Sequence, residues 1–154
     1  MVRCKSNTRF SSINKSVILT QADTTVGFVS QNYSKLSSIK SRPDSKPFIK
    51  IYNSFSELNY RVPQNKKNLV RRSKKTTFII KNIAFRIDAT YKNSQILRDL
   101  KWHYSTSAND KGKNFDRDFC ENKADIIIEG KNGLHELTSS KLLRINEYKT
   151  RSLR

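Results

Sequence analysis

Strand-like and helix-like patterns alternate along this chain, and the alternation predicts an α/β fold: a twisted mixed sheet with flanking helices. Two segments carry most of that prediction. Ile126-Ile127-Ile128, within Ala124–Glu129, is a continuous apolar β-branched run, the pattern of a strand covered on both faces. Tyr33, Leu36 and Ile39 recur at helical spacing, which predicts a helix over 32–40. No internal repeat and no coiled-coil heptad competes with this reading. At 154 residues the chain is expected to be one domain, 1–154. Its core is expected over about 16–154, preceded by a basic extension over 1–15.

The elements follow in order. Val17-Ile18-Leu19 reads as a buried strand, and Asp23-Thr24-Thr25 with Gly27 as a polar turn off its end. α/β folds place ligands at such strand ends. Pro43 lies beyond the helix over 32–40, which leaves Lys40 and Arg42 at or just past its C-terminus. Phe48–Tyr52 alternates apolar and polar residues and reads as a strand. Ser54 opens a short helix expected to reach Tyr60. Gln64–Lys75 is a basic segment holding Lys66, Lys67, Arg71, Arg72, Lys74 and Lys75. Thr76–Ile80 and Ile83–Ile87 read as strands joined by Lys81-Asn82. Ile96, Leu97 and Leu100 give 94–102 a helical face. Tyr104–Ser107 returns as a strand, 110–113 with Gly112 as a turn, and Phe115–Lys123 as a helix. Lys141–Ile145 is a further strand, with the C-terminus available to pair.

Lys and Arg number 31 against 13 Asp and Glu, a formal net charge of +18. Such an imbalance favours a polyanionic partner, because cations seated on phosphates release condensed counterions. A solvated Lys- and Asn-rich surface is the plain alternative. Lys66, Lys67, Arg71 and Arg72 are the candidate contacts to a nucleic-acid phosphate backbone, or equally a solvated face. The run has no interleaved aromatic residue, so it does not imply base stacking. Two cysteines, Cys4 and Cys120, without metal-ligand spacing fit reduced thiols in a cytoplasmic protein. His103 and His135 are isolated, and no metal site is expected. No window is apolar enough for a membrane helix. The chain has neither a Gly-rich phosphate loop nor a nucleophile elbow, which excludes a P-loop NTPase and a Ser-His-Asp hydrolase of the elbow type.

Two polar motifs remain. Lys40-Ser41-Arg42-Pro43 is followed by Lys46-Pro47, and Ser105-Thr106-Ser107-Ala108-Asn109 lies far downstream. Phosphate oxygens call for fixed cations, Arg offering a planar fork. Ser, Thr and Asn supply short hydrogen bonds. Taken alone, the first motif is equally a pair of solvated helix-end cations. The second is equally a turn or strand-end cap.

Taken together and in order, these motifs resemble the YrdC/YciO-like family of threonylcarbamoyl-AMP synthases and related RNA-binding proteins. The resemblance runs from about Val17 to Arg154. Gln21-Ala22-Asp23-Thr24-Thr25-Val26-Gly27-Phe28 is similar to the family's Pro-Thr-Asp/Glu-Thr-Val-Tyr-Gly-Leu turn, with Ala22 and Val26 replacing a Thr and a Tyr. Lys40-Ser41-Arg42-Pro43 and Lys46-Pro47-Phe48 match Lys-x-Arg-Pro and Lys-Pro-Leu. Thr77–Ile80 matches a family strand, but Ser73-Lys74-Lys75 stands for a Pro-Gly-Pro turn. Arg86 keeps the Arg of an Arg-Val-Pro. Ser105–Asn109 is a complete Ser-Thr-Ser-Ala-Asn, and Ala124–Ile128 resembles Ala-Asp-Leu-Ile-Ile. Ser139 and Arg154 fall near a family Ser and a late Arg.

The resemblance implies one YrdC-like domain that makes threonylcarbamoyl-adenylate and pyrophosphate from L-threonine, bicarbonate and ATP, for threonylcarbamoyladenosine formation on tRNA. Magnesium accompanies the ATP, and other tRNA-modification proteins are expected as partners. Lys40 and Arg42 are implied as catalytic residues on the triphosphate. Ser107, Asn109, Ser139 and Arg154 are implied as further nucleotide contacts, and Thr24 and Arg86 as threonine contacts. The alternative is a catalytically reduced module of the same fold that binds RNA.

Overall fold

A computed structural model describes residues 1–4, 10–41, 47–110 and 112–154. One mixed sheet of ten strands organises them. In chain order these are β1 (Val2–Cys4), β2 (Ile18–Gln21), β3 (Val26–Ser30), β4 (Ile49–Tyr52), β5 (Thr76–Ile80), β6 (Ile83–Ile87), β7 (Trp102–Ser107), β8 (Ile126–Ile128), β9 (Lys141–Ile145) and β10 (Thr150–Ser152). The α-helices are α1 (Tyr33–Lys40), α2 (Lys67–Arg72), α3 (Gln95–Leu100) and α4 (Arg117–Lys123). Across the sheet the order is β1-β8-β2-β3-β7-β4-β6-β5-β9-β10. The pairs β2–β8, β4–β6 and β5–β9 are parallel. The other six are antiparallel.

Strand periodicity divides the core between the two faces. Leu19 and Phe28 point to one face, where they meet Leu36 of α1 and Cys120 of α4. Ile18 and Val29 point to the other, against Leu97 and Leu100 of α3. A third cluster, Tyr52, Val62, Val70, Phe78, Phe85 and Ile145, fixes α2 to the far half of the sheet. Asn32 caps α1 by accepting the Lys35 N–H at 3.0 Å. Asp116 does the same for α4 with the Phe119 N–H. Tyr33 meets the rings of Phe48 and Tyr104 edge-on. That contact fixes the rotation of α1 and so the direction in which Lys40 leaves its last turn.

Several expectations need correction. The polar stretch after Leu19 is shorter than expected: Ala22 and Thr25 close a hairpin turn, N–H to carbonyl at 3.1 Å, and Val26 begins β3. All five residues of β3, Val26 to Ser30, are buried. Val2–Cys4, expected within a basic extension, is an edge strand on β8. Its hold is electrostatic as well as hydrogen-bonded, since Arg3 pairs with Glu121 and Glu129. The basic segment contains the helix α2, anchored by the buried Val70. The expected helix over 54–60 shrinks to one 3-10 turn at Phe55–Glu57, and that over 94–102 ends at Leu100. Lys101, at φ +60°, turns the chain so that Trp102 starts β7. The C-terminus pairs as β10 on β9. Among the described residues no helix is long and apolar enough to cross a membrane.

Candidate functional site

The strands β2, β3, β7 and β4 leave a cleft of about 370 Å³ on the face of Ala22, Gly27 and Ile51. Gly27 is its floor. A Cβ there would stand 3.0 Å from the Thr106 carbonyl oxygen, so the close pairing of β3 with β7 favours glycine. Thr24, Arg86, Ser107, Ser139 and Arg154, all site candidates in the sequence, line this cleft. Ser105, Thr106 and Ser140 line it too and were not singled out individually. The consecutive hydroxyl residues Ser105, Thr106 and Ser107 at the end of β7 were the signal for the first two.

Lys40 does not line the cleft but reaches its end. From the last turn of α1 its ammonium donates to the Ser107 carbonyl at 3.0 Å, to Asn109 Oδ1 at 3.2 Å and to the Asn109 carbonyl. The two motifs, far apart in sequence, are therefore one structure. Ser107 Oγ donates to Asn109 Oδ1 at 2.7 Å, and Asn109 Nδ2 donates to the Lys113 carbonyl at 2.8 Å. Beneath them the Cys120 thiol donates to the Ala108 carbonyl at 3.2 Å. Burial pushes that thiol up to about 11, so it stays protonated and serves the loop as a donor. Ser41 closes α1 in the left-handed region at φ +45°. Arg42 and Pro43, and Lys46 with them, lie outside the described residues.

At the other end sits a buried charge cluster. Arg86, 5% exposed, donates from Nη1 to Thr24 Oγ1 at 2.9 Å and lies 3.6 Å from Asp23 Oδ1. Asp23 Oδ2 accepts the Lys75 N–H at 3.1 Å, and Asp88 Oδ2 accepts the Asp23 N–H at 3.4 Å. Asp23 holds Lys75 at φ +48°, a left-handed position that glycine would suit. This is the place where the sequence has Ser73-Lys74-Lys75. Burial pushes the Asp23 carboxyl up to about 6; Arg86 pulls it down and Asp88 pushes it up. Asp88 itself caps the turn after β6 by accepting the Thr90 N–H at 2.9 Å. Arg86 Nε and Asp23 Oδ1 have no hydrogen-bond partner among the described residues.

Ser139 is exposed, while Ser140 is buried and shares a hydrogen bond with Thr77 Oγ1 at 2.9 Å. Arg154 Nε donates to the Ser140 carbonyl at 3.3 Å, which brings the last residue back to the cleft. Ala22 lines the cleft; Val26 does not, being 1% exposed in the core on the opposite face. His103 is wholly buried against Tyr91, and burial lowers its pKa to about 3. It is neutral near pH 7, and neither ring nitrogen has a hydrogen-bond partner among the described residues; His135 is exposed. The described residues contain no group of His, Cys, Asp or Glu able to hold a metal ion.

Of the four cations considered for RNA, Arg71 and Arg72 are exposed and Lys66 and Lys67 are half-buried. The Arg71 guanidinium lies 4.4 Å from the Phe55 ring centre. The fold thus supplies the aromatic neighbour that the linear run lacks.

Hydroxyl-lined strands, a pinned Ser-Thr-Ser-Ala-Asn loop and a buried arginine on one mixed sheet define a small-ligand cleft. Solved structures that share this architecture include Sua5 and YciO, proteins of the YrdC/Sua5 group. The chain is similar to a variant of P. abyssi Sua5 (TM-score 0.75, 19% identity), with 94% of this chain and 54% of that one covered. It is similar to P. abyssi Sua5 complexed with L-threonine (TM-score 0.74, 20% identity, 94% and 52% covered). It is also similar to E. coli YciO (TM-score 0.69, 18% identity, 94% and 85% covered). The chain therefore has the YrdC/Sua5 fold, and it spans about half the length of the Sua5 chains it matches. No family profile matches the sequence, and no curated protein matches it.

Proposed function

We propose that the chain is a cytoplasmic threonylcarbamoyl-AMP synthase, acting on L-threonine, bicarbonate and ATP in tRNA modification. The observation that carries this reading is the junction of Lys40 with the Ser105–Asn109 loop at the mouth of a hydroxyl-lined cleft. A solved structure of the same fold is a complex with L-threonine, which supports an amino acid as ligand.

In the proposed reaction the threonine amine adds to bicarbonate with loss of water, giving a carbamate. A carbamate oxygen attacks the α-phosphorus of ATP, the bond to the β-phosphate oxygen breaks, and pyrophosphate leaves. Little covalent help is needed; positioning and charge neutralisation dominate. Lys40 exchanges its carbonyl partners for phosphate oxygens, with Arg42 beside it in sequence. Ser107, Asn109, Ser139 and Arg154 contact the nucleotide, and Thr24 and Arg86 the amino acid. The described residues lack a carboxylate cluster, so they do not fit a protein-held metal. Magnesium enters on the phosphates, and no step rests on it.

The test is pyrophosphate release with threonine, bicarbonate and ATP each omitted in turn. Release that needs all three supports the enzyme; none at saturating threonine removes it. One observation favours a second reading, an RNA-binding module: Ala22 puts a methyl into the cleft where the family turn carries a hydroxyl, on a chain of net charge +18. Lys66, Lys67, Arg71 and Arg72 would then meet tRNA or duplex RNA.

A further inference from the structure

A second groove lies at the opposite ends of β5 and β9 from the cleft. β5 leaves Thr77 beside Ser140 and runs to Ile80, and four residues of strand at ~3.3 Å each separate Thr76 from Ile80, about 13 Å. There three turns converge. The 3-10 turn Gln64–Lys66 comes first, then the β5–β6 turn with Lys81 and Asn82 at φ +47° and +67°. The third is the β9–β10 turn around Glu147 and Tyr148. They enclose about 830 Å³, within the range of ligand-binding clefts, over an apolar floor of Ile80 and Ile145.

The walls are built, not loose. Asn146 Oδ1 accepts the N–H groups of Tyr148 at 2.9 Å and Lys149 at 2.7 Å, which sets the turn and fixes the Tyr148 backbone. Asn65 Nδ2 donates to the Glu147 carbonyl at 2.8 Å and ties this turn to the first. The result presents Tyr148, 85% exposed, at the groove edge with Arg61 and Lys81. A tyrosine ring held out in water has no packing role in the fold. Beside cations it is what recognition of an unpaired nucleic-acid strand uses: a stacking platform for a base and charges for the backbone. Glu147 is the acid on this wall. Arg61 and Lys81 outweigh it, as do Lys66, Lys67 and Lys149 in the same three segments.

We propose that this groove binds a single-stranded segment of nucleic acid, with Tyr148 stacked on a base. The surface is separate from the cleft and does not depend on which reaction the cleft carries out. The test is fluorescence anisotropy with a labelled ~12-nucleotide uridine strand and its duplex with adenosine, at about 50 and 200 mM salt. Tyr148→Ala is expected to weaken the single strand about tenfold, which is ~1.4 kcal/mol. Tyr148→Phe, which keeps the ring, is expected to bind as the parent does. Duplex affinity is expected to be unchanged in both, because paired bases offer no free face. Lys40→Ala, at the cleft, is expected to leave single-strand affinity unchanged. The proposal is overturned by parental affinity in Tyr148→Ala, by an equal loss on duplex, by an equal loss in Lys40→Ala, or by no single-strand binding at low salt.

Discussion

Replacing Arg86 by Met tests the charge logic of the cleft. The substitution keeps an unbranched apolar stem and removes the guanidinium. It breaks the 2.9 Å bond to Thr24, worth ~1 kcal/mol at every pH. It also strands Asp23, whose nearest cation was 3.6 Å away. Breaking a buried ion pair typically costs ~3–5 kcal/mol. Here the cost depends on pH, because the carboxyl titrates at about 6 instead of 3.8. The sign follows from linkage. A raised folded-state pKa means that the native state takes up a proton before the unfolded state does, so stability rises as pH falls through about 6. In the parent that gain spans one unit between pH 6 and 5, ~1.4 kcal/mol. Without Arg86 the carboxyl rises further, so its window of native proton uptake widens toward higher pH. The Arg86→Met deficit is thus expected to be ~1–3 kcal/mol smaller at pH 5 than at pH 8. Urea unfolding followed through Trp102, the sole tryptophan, measures it. Adding Asp23→Asn should abolish the dependence. An equal deficit at both pH values, or a dependence that survives Asp23→Asn, would refute the coupling.

Lys40→Ala is expected to weaken ATP binding by ~1.5–3 kcal/mol in calorimetry, and to loosen the Ser105–Asn109 loop by removing its charged anchor. Unchanged affinity would remove Lys40 from the nucleotide site. Gly27→Ala should destabilise by ~1–3 kcal/mol, since the methyl meets a carbonyl oxygen that cannot retreat without parting β3 from β7; parental stability in urea would contradict the 3.0 Å approach. Reversing Lys66, Lys67 and Arg72 to Glu should flatten the salt dependence of duplex RNA binding, the slope falling by ~0.9 per lost phosphate contact on the B-DNA scale. An unaltered slope would make the helix face merely solvated. Ala22→Thr alone is expected to lower the threonine requirement of pyrophosphate release about tenfold or less, as one hydrogen bond is worth ~0.5–1.5 kcal/mol. Val26→Tyr should instead disrupt the core.

The sheet was legible wherever apolar runs were bounded by turn residues. Ile126–Ile128, Thr76–Ile80 and Ile83–Ile87 fall where their patterns place them. β3 escaped because its turn carries no glycine or proline: Ala22-Asp23-Thr24-Thr25 is closed by one backbone hydrogen bond, and Gly27 sits inside the strand. β1 escaped because its basic and polar flanks hide three residues whose partners lie more than a hundred positions away. The site divides in the same way. Motif residues were legible by type, but their joining by the Lys40 ammonium needs the fold. The pairing of Asp23 with Arg86 and Asp88 is a burial effect, and burial is not written in local spacing. Val26 shows the converse: its place in a motif suggested a cleft residue, and the strand period turns it to the opposite face.

The two ends of the cleft differ in how their polar groups are satisfied, and that difference bears on the choice between enzyme and RNA-binding module. At the Lys40 end the ammonium donates to the Ser107 and Asn109 oxygens, so on the proposed reading phosphate binding there is an exchange of partners. The net gain comes from replacing neutral carbonyls by charged oxygens. At the other end Arg86 Nε and Asp23 Oδ1 are buried without hydrogen-bond partners. A buried polar atom without a hydrogen bond is costly, and the 3.6 Å ion pair between Arg86 Nη1 and Asp23 Oδ1 offsets that cost only in part. A fold that served only to hold a duplex on its surface would gain nothing from keeping such a pair beneath the cleft. Replacing both residues by apolar ones of similar size would often be neutral or stabilising. Arg86 lines the cleft, so the proposed enzyme reading gives this costly charge a role that the RNA-binding reading does not. On the proposed reading, the hydroxyl missing at Ala22 affects how tightly threonine is held, and the Ala22→Thr variant measures by how much.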